Sequence, residues 1–186
     1  MAEHDALTRE RILEAAEDVL RRFGPQKANV VDVARALGVS HGSVYRHFAS
    51  KADLRDAVVR RWLESVSAPL KAIVAEEGPA PQRLKRWLDA LVATKRSKRI
   101  SPDKELFAAY RALFDESGMA IETHVGELAR QAAVIIEDGI ARGEFRKVDP
   151  DETARALLDA TTRFHNPAHA EEWSDPRIDV SYEAVW

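Results

Sequence analysis

Apolar residues along this chain recur at intervals of three and four, and no stretch of any length alternates with a period of two. Ile12, Ala16, Val19, Leu20 and Phe23 form one face of a helix that Thr8 can cap and Gly24-Pro25 ends. A second stripe, Val30, Val33, Ala34 and Leu37, follows Asn29, a good N-cap. Leu54, Ala57, Val58, Trp62, Leu63 and Val66 define a longer helix, expected to continue with a kink past Pro69. After Gly78-Pro79-Ala80-Pro81, the segment Arg83–Thr94 turns Leu84, Trp87, Leu88, Leu91 and Val92 inward. The basic run Lys95–Arg99 reads as a solvated helix end. Pro102 opens a helix with Leu106, Phe107, Tyr110, Leu113 and Phe114 on one side, and Gly118 separates it from a long helix reaching Arg142. In that long helix Val125, Leu128, Ala132, Ile135, Ile136 and Ile140 form the stripe, and Gly143 stops it. Asp149-Pro150-Asp151 starts another helix, expected to reach His165, whose Ala154, Leu158 and Thr161 offer a small-residue face for helix association. A last helix begins near Ile178. The exposed apolar end at Val185-Trp186 leads us to expect that the natural C-terminus lies further on.

The stretch from Asn29 to Leu54 differs from the others. Gly38 falls where the chain must leave one short helix, and Ser40 can cap the next two residues later. From His41 to His47 only Val44 points inward, joined by Phe48 just beyond; His41, Ser43, Tyr45, Arg46 and His47 are left for an outside partner. Two short helices across a tight turn, the second nearly bare of apolar surface, imply a helix-turn-helix whose second helix enters a DNA major groove. The helix start at Ser40–Ser43 offers amides toward a phosphate or base edge, and Gly42 permits close approach to the groove floor. His41, Ser43 and Arg46 are the candidates for base readout. Arg46 leads because guanidinium pairs bidentately with guanine, although a phosphate is an equally good partner.

The run Gly38-Val39-Ser40-His41-Gly42-Ser43-Val44-Tyr45-Arg46-His47-Phe48, followed by Ser50-Lys51-Ala52-Asp53-Leu54, resembles the DNA-binding domain of the TetR family of transcriptional regulators over roughly residues 8–62. The resemblance implies that Tyr45, His47 and Lys51 hold the DNA backbone. It also implies a homodimer joined through the last two long helices, with paired heads on a palindromic double-stranded operator. A small-molecule effector sensed between the body's helices is implied as well, releasing what is most often a repressor. Trp87, Leu91, Phe107, Tyr110, Phe114, Met119 and His124 are candidates to line such a pocket, against the plainer reading that each is core.

The expected architecture is therefore all-α. A three-helix helix-turn-helix DNA-binding domain in residues 1–50, with the connecting helix from 51, precedes a larger helical ligand-binding and dimerisation domain in 51–186. At 186 residues and 45% apolar, the chain is long enough for a small head plus a body. Net charge is only -3, and residues 1–60 carry ten Lys/Arg against nine Asp/Glu, so any phosphate footprint must be local to a few side chains. The absence of cysteine excludes disulfides and thiolate metal sites. The charged start MAEHDALTRER does not resemble a signal peptide and no apolar run approaches a bilayer span, so we expect a cytoplasmic protein with no membrane partner. No nucleophile elbow, phosphate loop, HExxH or paired-carboxylate pattern appears, and neither an enzyme nor a cofactor is expected. His165 and His169 with Glu171 and Glu172 have metal-like spacing, but Pro167 between them breaks the helix that would align them. The reading that competes with a regulator is a helical carrier or enzyme with a vestigial head.

Overall fold

The computed structural model describes residues 7–24, 29–100, 104–114 and 118–186, with the side chains of 100, 104–106, 113 and 114 left aside. Among the described residues every regular element is helical. They are α1 (Arg9–Phe23), α2 (Val30–Leu37), α3 (His41–Tyr45), α4 (Lys51–Ser67), α5 (Leu70–Ala75), α6 (Ala80–Ile100), α7 (Lys104–Phe114), α8 (Gly118–Ala141), α9 (Pro150–Ala160), α10 (Thr162–His165) and α11 (Arg177–Glu183). Short 3₁₀ turns at Pro167–His169 and Glu172–Ser174 lie between α10 and α11.

Local chemistry sets most boundaries. Thr8 Oγ1 accepts from Arg11 N at 3.2 Å, and Asn29 Oδ1 accepts from Val31 N and Asp32 N at 3.0 Å each. Asp149 accepts from Glu152 N, with Pro150 in the first helical turn. At the end of α2, Gly38 takes φ 67°, Gly38 N donates to Arg35 O and Val39 N to Ala34 O, a Schellman closure available without penalty only to glycine. Gly143, at φ 71°, repeats the arrangement after α8.

The chain divides into two compact units, Met1–Trp62 with Pro102–Ile121, and Leu63–Ser101 with Glu122–Trp186. This division differs from the expected cut between residues 50 and 51. In the first unit Trp62, near the middle of α4, stacks on Tyr110 of α7 with ring centroids 4.9 Å apart and lies 6.2 Å from Phe107. Tyr110 Oη donates to Glu17 of α1 at 3.3 Å, and Arg61 reaches Glu10, Glu14 and Glu17 at 3.6, 3.4 and 3.3 Å. Residues 51–62 of α4, with Phe107 and Tyr110 of α7, thus belong to one unit with α1. The ring stack responsible joins residues far apart in the chain, which periodicity alone cannot pair.

The second unit has its core on α6 and α8, with Trp87, Leu88, Leu91, Leu128, Ala132 and Ile135 packed against Phe164, Ile178 and Tyr182. Trp87 Nε1 donates to Gln131 Oε1 at 3.0 Å, and Gln131 Nε2 donates to the carbonyl of Ser67 at 3.2 Å, so these two buried side chains satisfy one another. Helix α6 does not end at Thr94. It runs to Ile100, and Lys95 is buried rather than solvated. The helix begun at Pro150 is interrupted at Thr161, where ψ rises to 6°, instead of continuing to His165. Ala154, Leu158 and Thr161 face this unit's own core, which corrects their expected role as an association face. Phe23 and Val125, expected inside, are exposed, Phe23 because α1 stops there and Val125 because the buried stripe of α8 runs through Ala120, His124, Leu128 and Ala132.

Candidate nucleic-acid interface

The first unit presents α3 as a short helix held from behind. Its Val44 and the following Phe48 are fully buried, while Ser40, His41, Gly42, Tyr45 and Arg46 are exposed and Ser43 and His47 half-buried. Ser40 caps α3, its Oγ accepting from Ser43 N at 3.2 Å and lying 3.0 Å from Ser43 Oγ. Helix α3 is shorter than the expected 41–47 because the chain tightens beyond Tyr45: His47 N and Phe48 N both donate to the carbonyl of Val44. That turn drives Phe48 into the core and leaves Arg46 outside, its guanidinium donating to Ser43 Oγ at 3.3 Å.

Two devices fix the far end of α3. Arg9 of α1 donates to the His47 carbonyl at 2.7 Å. Ser50 Oγ accepts from Asp53 N at 3.0 Å, while Asp53 Oδ2 accepts from Ala49 N at 3.0 Å, a capping box displaced by one residue. The box sets Lys51 at the exposed first position of α4. A cation there opposes the helix dipole, which is mildly unfavourable for the helix itself.

The effector-pocket candidates divide between the units. Trp87, Leu91 and His124 are buried in the second. Phe107 and Tyr110 are buried in the first, Met119 is exposed there, and the Phe114 side chain lies outside the described residues. The two histidines with metal-like spacing have separate partners: His165 Nε2 lies 3.3 Å from Thr161 Oγ1, and His169 Nδ1 lies 2.7 Å from Glu172 Oε1. Sequence reasoning missed the burial of Lys95 beside His124, since a lysine in a basic run carries no sign of it.

A helix-turn-helix head with a bare second helix, joined to an all-helical second unit, is the architecture of a DNA-binding regulator. Comparison with known proteins agrees. Residues 12–58 match the family described as bacterial regulatory proteins, tetR family, and residues 80–186 match the tetracyclin repressor-like C-terminal domain. The chain belongs to the TetR family of transcriptional regulators.

Among its relatives, the fatty acid metabolism regulator protein of Bacillus subtilis is 21% identical over 155 residues, covering 81% of this chain and 77% of that one. The transcriptional repressor KstR2 of Rhodococcus jostii is 27% identical over 171 residues, covering 86% and 80%. The crystal structure of the regulator FadR from Bacillus subtilis in complex with stearoyl-CoA superposes with a TM-score of 0.55 at 17% identity, over 89% of this chain and 95% of that one. The fold is therefore shared. Among the described residues no helix is long and apolar enough to cross a membrane.

Proposed function

We propose that this regulator is a repressor that binds a two-fold-related operator as a homodimer and is released by a small-molecule effector in its second unit. The observation that carries the reading is the surface of α3 and the turn after it, where His41, Tyr45 and Arg46 are exposed, Ser43 and His47 half-buried, and only Val44 and Phe48 fully buried. His41, Ser43 and Arg46 read base edges, Ser40 and Gly42 allow close approach, and Tyr45, His47 and Lys51 set register on phosphates. The repressor KstR2 supports the direction of control by kinship. Pairing of two heads supplies affinity that one five-residue helix lacks. Val134 and Val180, large apolar side chains that a single chain leaves exposed, offer surface for the pairing.

The test is fluorescence anisotropy with the duplex flanking the chain's own coding region, against a scrambled duplex of equal length. Preference for the native duplex, with a stoichiometry of two chains per site, is expected. Equal affinity for both duplexes ends the claim of operator recognition, and a second unit that binds ligand while the head ignores every duplex would restore the carrier reading.

A further inference from the structure

The side chain of Arg46 has one partner among the described residues, and that partner carries no charge. Its Nη2 donates to Ser43 Oγ at 3.3 Å. Other arginines of the first unit are placed differently: Arg9 and Arg60 each stand 4.0 Å from Asp53, and Arg35 is 2.9 Å from Asp32. Ser43 is itself held. Its Oγ lies 3.0 Å from Ser40 Oγ, and its backbone N donates to that same Ser40 oxygen at 3.2 Å. Ser43 is half-buried, whereas Ser40 and Arg46 on either side of it are exposed. Ser40, Ser43 and Arg46 follow one another at intervals of three, so their side chains line up along one side of α3.

An untethered arginine samples many rotamers, and ordering it on a partner uses up part of what the contact returns. The bond to Ser43 removes some of that freedom before any duplex arrives. It runs back toward the start of α3, the direction in which helical side chains already lean. A carboxylate in place of the hydroxyl would hold the guanidinium more firmly, but it would cancel the charge and repel DNA. The hydroxyl holds it and leaves the charge whole. Nη1, Nε and the second N–H of Nη2 remain for an outside acceptor. Drawn back onto Ser43, the guanidinium joins the leading part of the recognition helix, whose residues contact base edges. The major-groove edge that offers it two acceptors is that of guanine, through N7 and O6.

We infer that Ser43 is the positioning residue that makes Arg46 a reader of one guanine. Anchored on Ser40, Ser43 holds the guanidinium along α3, and the two residues together specify a single base pair. The inference rests on the operator reading above and divides the work between two of its readers: Ser43 acts through Arg46, and Arg46 touches the base.

The test uses the full chain and the duplex flanking its coding region, with each base pair substituted in turn and a scrambled duplex as control. Anisotropy titrations compare the unsubstituted chain with Ser43→Ala, Ser43→Thr, Arg46→Ala and the double variant Ser43→Ala with Arg46→Ala. Arg46→Ala is expected to erase a preference for G·C at one base pair of each half-site. Ser43→Ala weakens the preference at that same pair by about three- to tenfold and leaves the other pairs as they were. Ser43→Thr, which keeps the hydroxyl, restores it. In the Arg46→Ala background Ser43→Ala changes nothing further, the non-additivity of a coupled pair. Melting temperature and affinity for the scrambled duplex stay unchanged in Ser43→Ala, because the Ser40 cap is taken by the backbone N–H at position 43.

A preference lost at a different base pair, additive with Arg46→Ala, makes Ser43 a reader in its own right and overturns the inference. So does an Arg46→Ala that weakens every duplex alike, which puts the guanidinium on phosphate. An unchanged Ser43→Ala, or one that loses all duplexes equally, overturns it too. An unsubstituted chain that binds flanking and scrambled duplexes equally fails the operator reading itself, and the inference falls with it.

Discussion

The guanidinium of Arg9 lies 4.1 Å from the centroid of the Phe48 ring. The same side chain donates to the His47 carbonyl at 2.7 Å and stands 4.0 Å from Asp53. One residue at the start of α1 thus holds the end of α3 by a ring face, a carbonyl and a carboxylate. Arg9→Met keeps an unbranched stem over the ring and deletes the rest, at a cost of about 1 kcal/mol. Hydrogen exchange at the amides of His47 and Phe48 is expected to accelerate about fivefold or more. Operator affinity should fall without any change in base preference, because the reading residues themselves remain.

Arg46 and Lys51 separate the two kinds of DNA contact proposed for this head. Arg46→Ala is expected to cost about 1–3 kcal/mol on the native operator and to relax preference at one base position. Lys51→Ala should weaken every duplex equally and lower the salt slope by about one. Anisotropy titrations on a set of single-base operator variants at several salt concentrations distinguish the outcomes. A salt slope unchanged in Lys51→Ala would remove that residue from the interface.

Gly38 and Gly139 make a contrasting pair. Gly38 has open space where a Cβ would stand, so Gly38→Ala meets only the backbone penalty of φ 67° and should cost about 1 kcal/mol. Gly139, inside α8, has the Phe145 ring and the Ala80 methyl where its Cβ would be, with Ala80 at 2.8 Å. Alanine usually favours a helix over glycine, yet Gly139→Ala is expected to destabilise the second unit by about 1–3 kcal/mol because Phe145 must move. Urea denaturation of both variants checks the order: a Gly139→Ala chain that is more stable than the parent would mean the Phe145 ring yields freely.

The contrast also shows what could be read from the chain. Gly38 was legible because its reason is local: a helix ends, a cap follows two residues on, and only glycine fits between. The same holds for Thr8, Asn29, Ser40 and Asp149, whose partners lie within three residues. Gly139 was not legible, because the ring that excludes a methyl arrives only after the chain has turned at Gly143. Tyr110 failed the same way, since its stacking partner Trp62 comes from another helix, and so did the inward turn of Ala154 and Leu158. For the interface, the bare face of α3 followed from a helix with a single apolar position. Lys95 shows the opposite limit. Within Lys-Arg-Ser-Lys-Arg nothing marks the first lysine as the buried one, because helix phase relative to a distant histidine decides it.

The buried histidines give the second unit a pH dependence whose sign follows from linkage. His124 and His165 are pushed down, by burial first and by the charge of Lys95 second, to about 3 and about 4. Their unfolded forms titrate near 6.5, so from there down to about pH 4 the unfolded chain binds more protons than the folded one. Stability therefore falls as pH drops through that window, at no more than about 1.4 kcal/mol per pH unit for each histidine. Lys95, lowered to about 7, is charged in both states below that pH and adds nothing to this slope. Its own contribution makes the fold more stable as pH rises from about 7 toward the ordinary lysine value of 10.5. Urea denaturation from pH 6.5 to 4, followed by the fluorescence of the buried Trp87, should show the loss, and His165→Leu should remove about half of it. Stability that stays flat across the window would mean that these imidazoles are not held neutral by the fold.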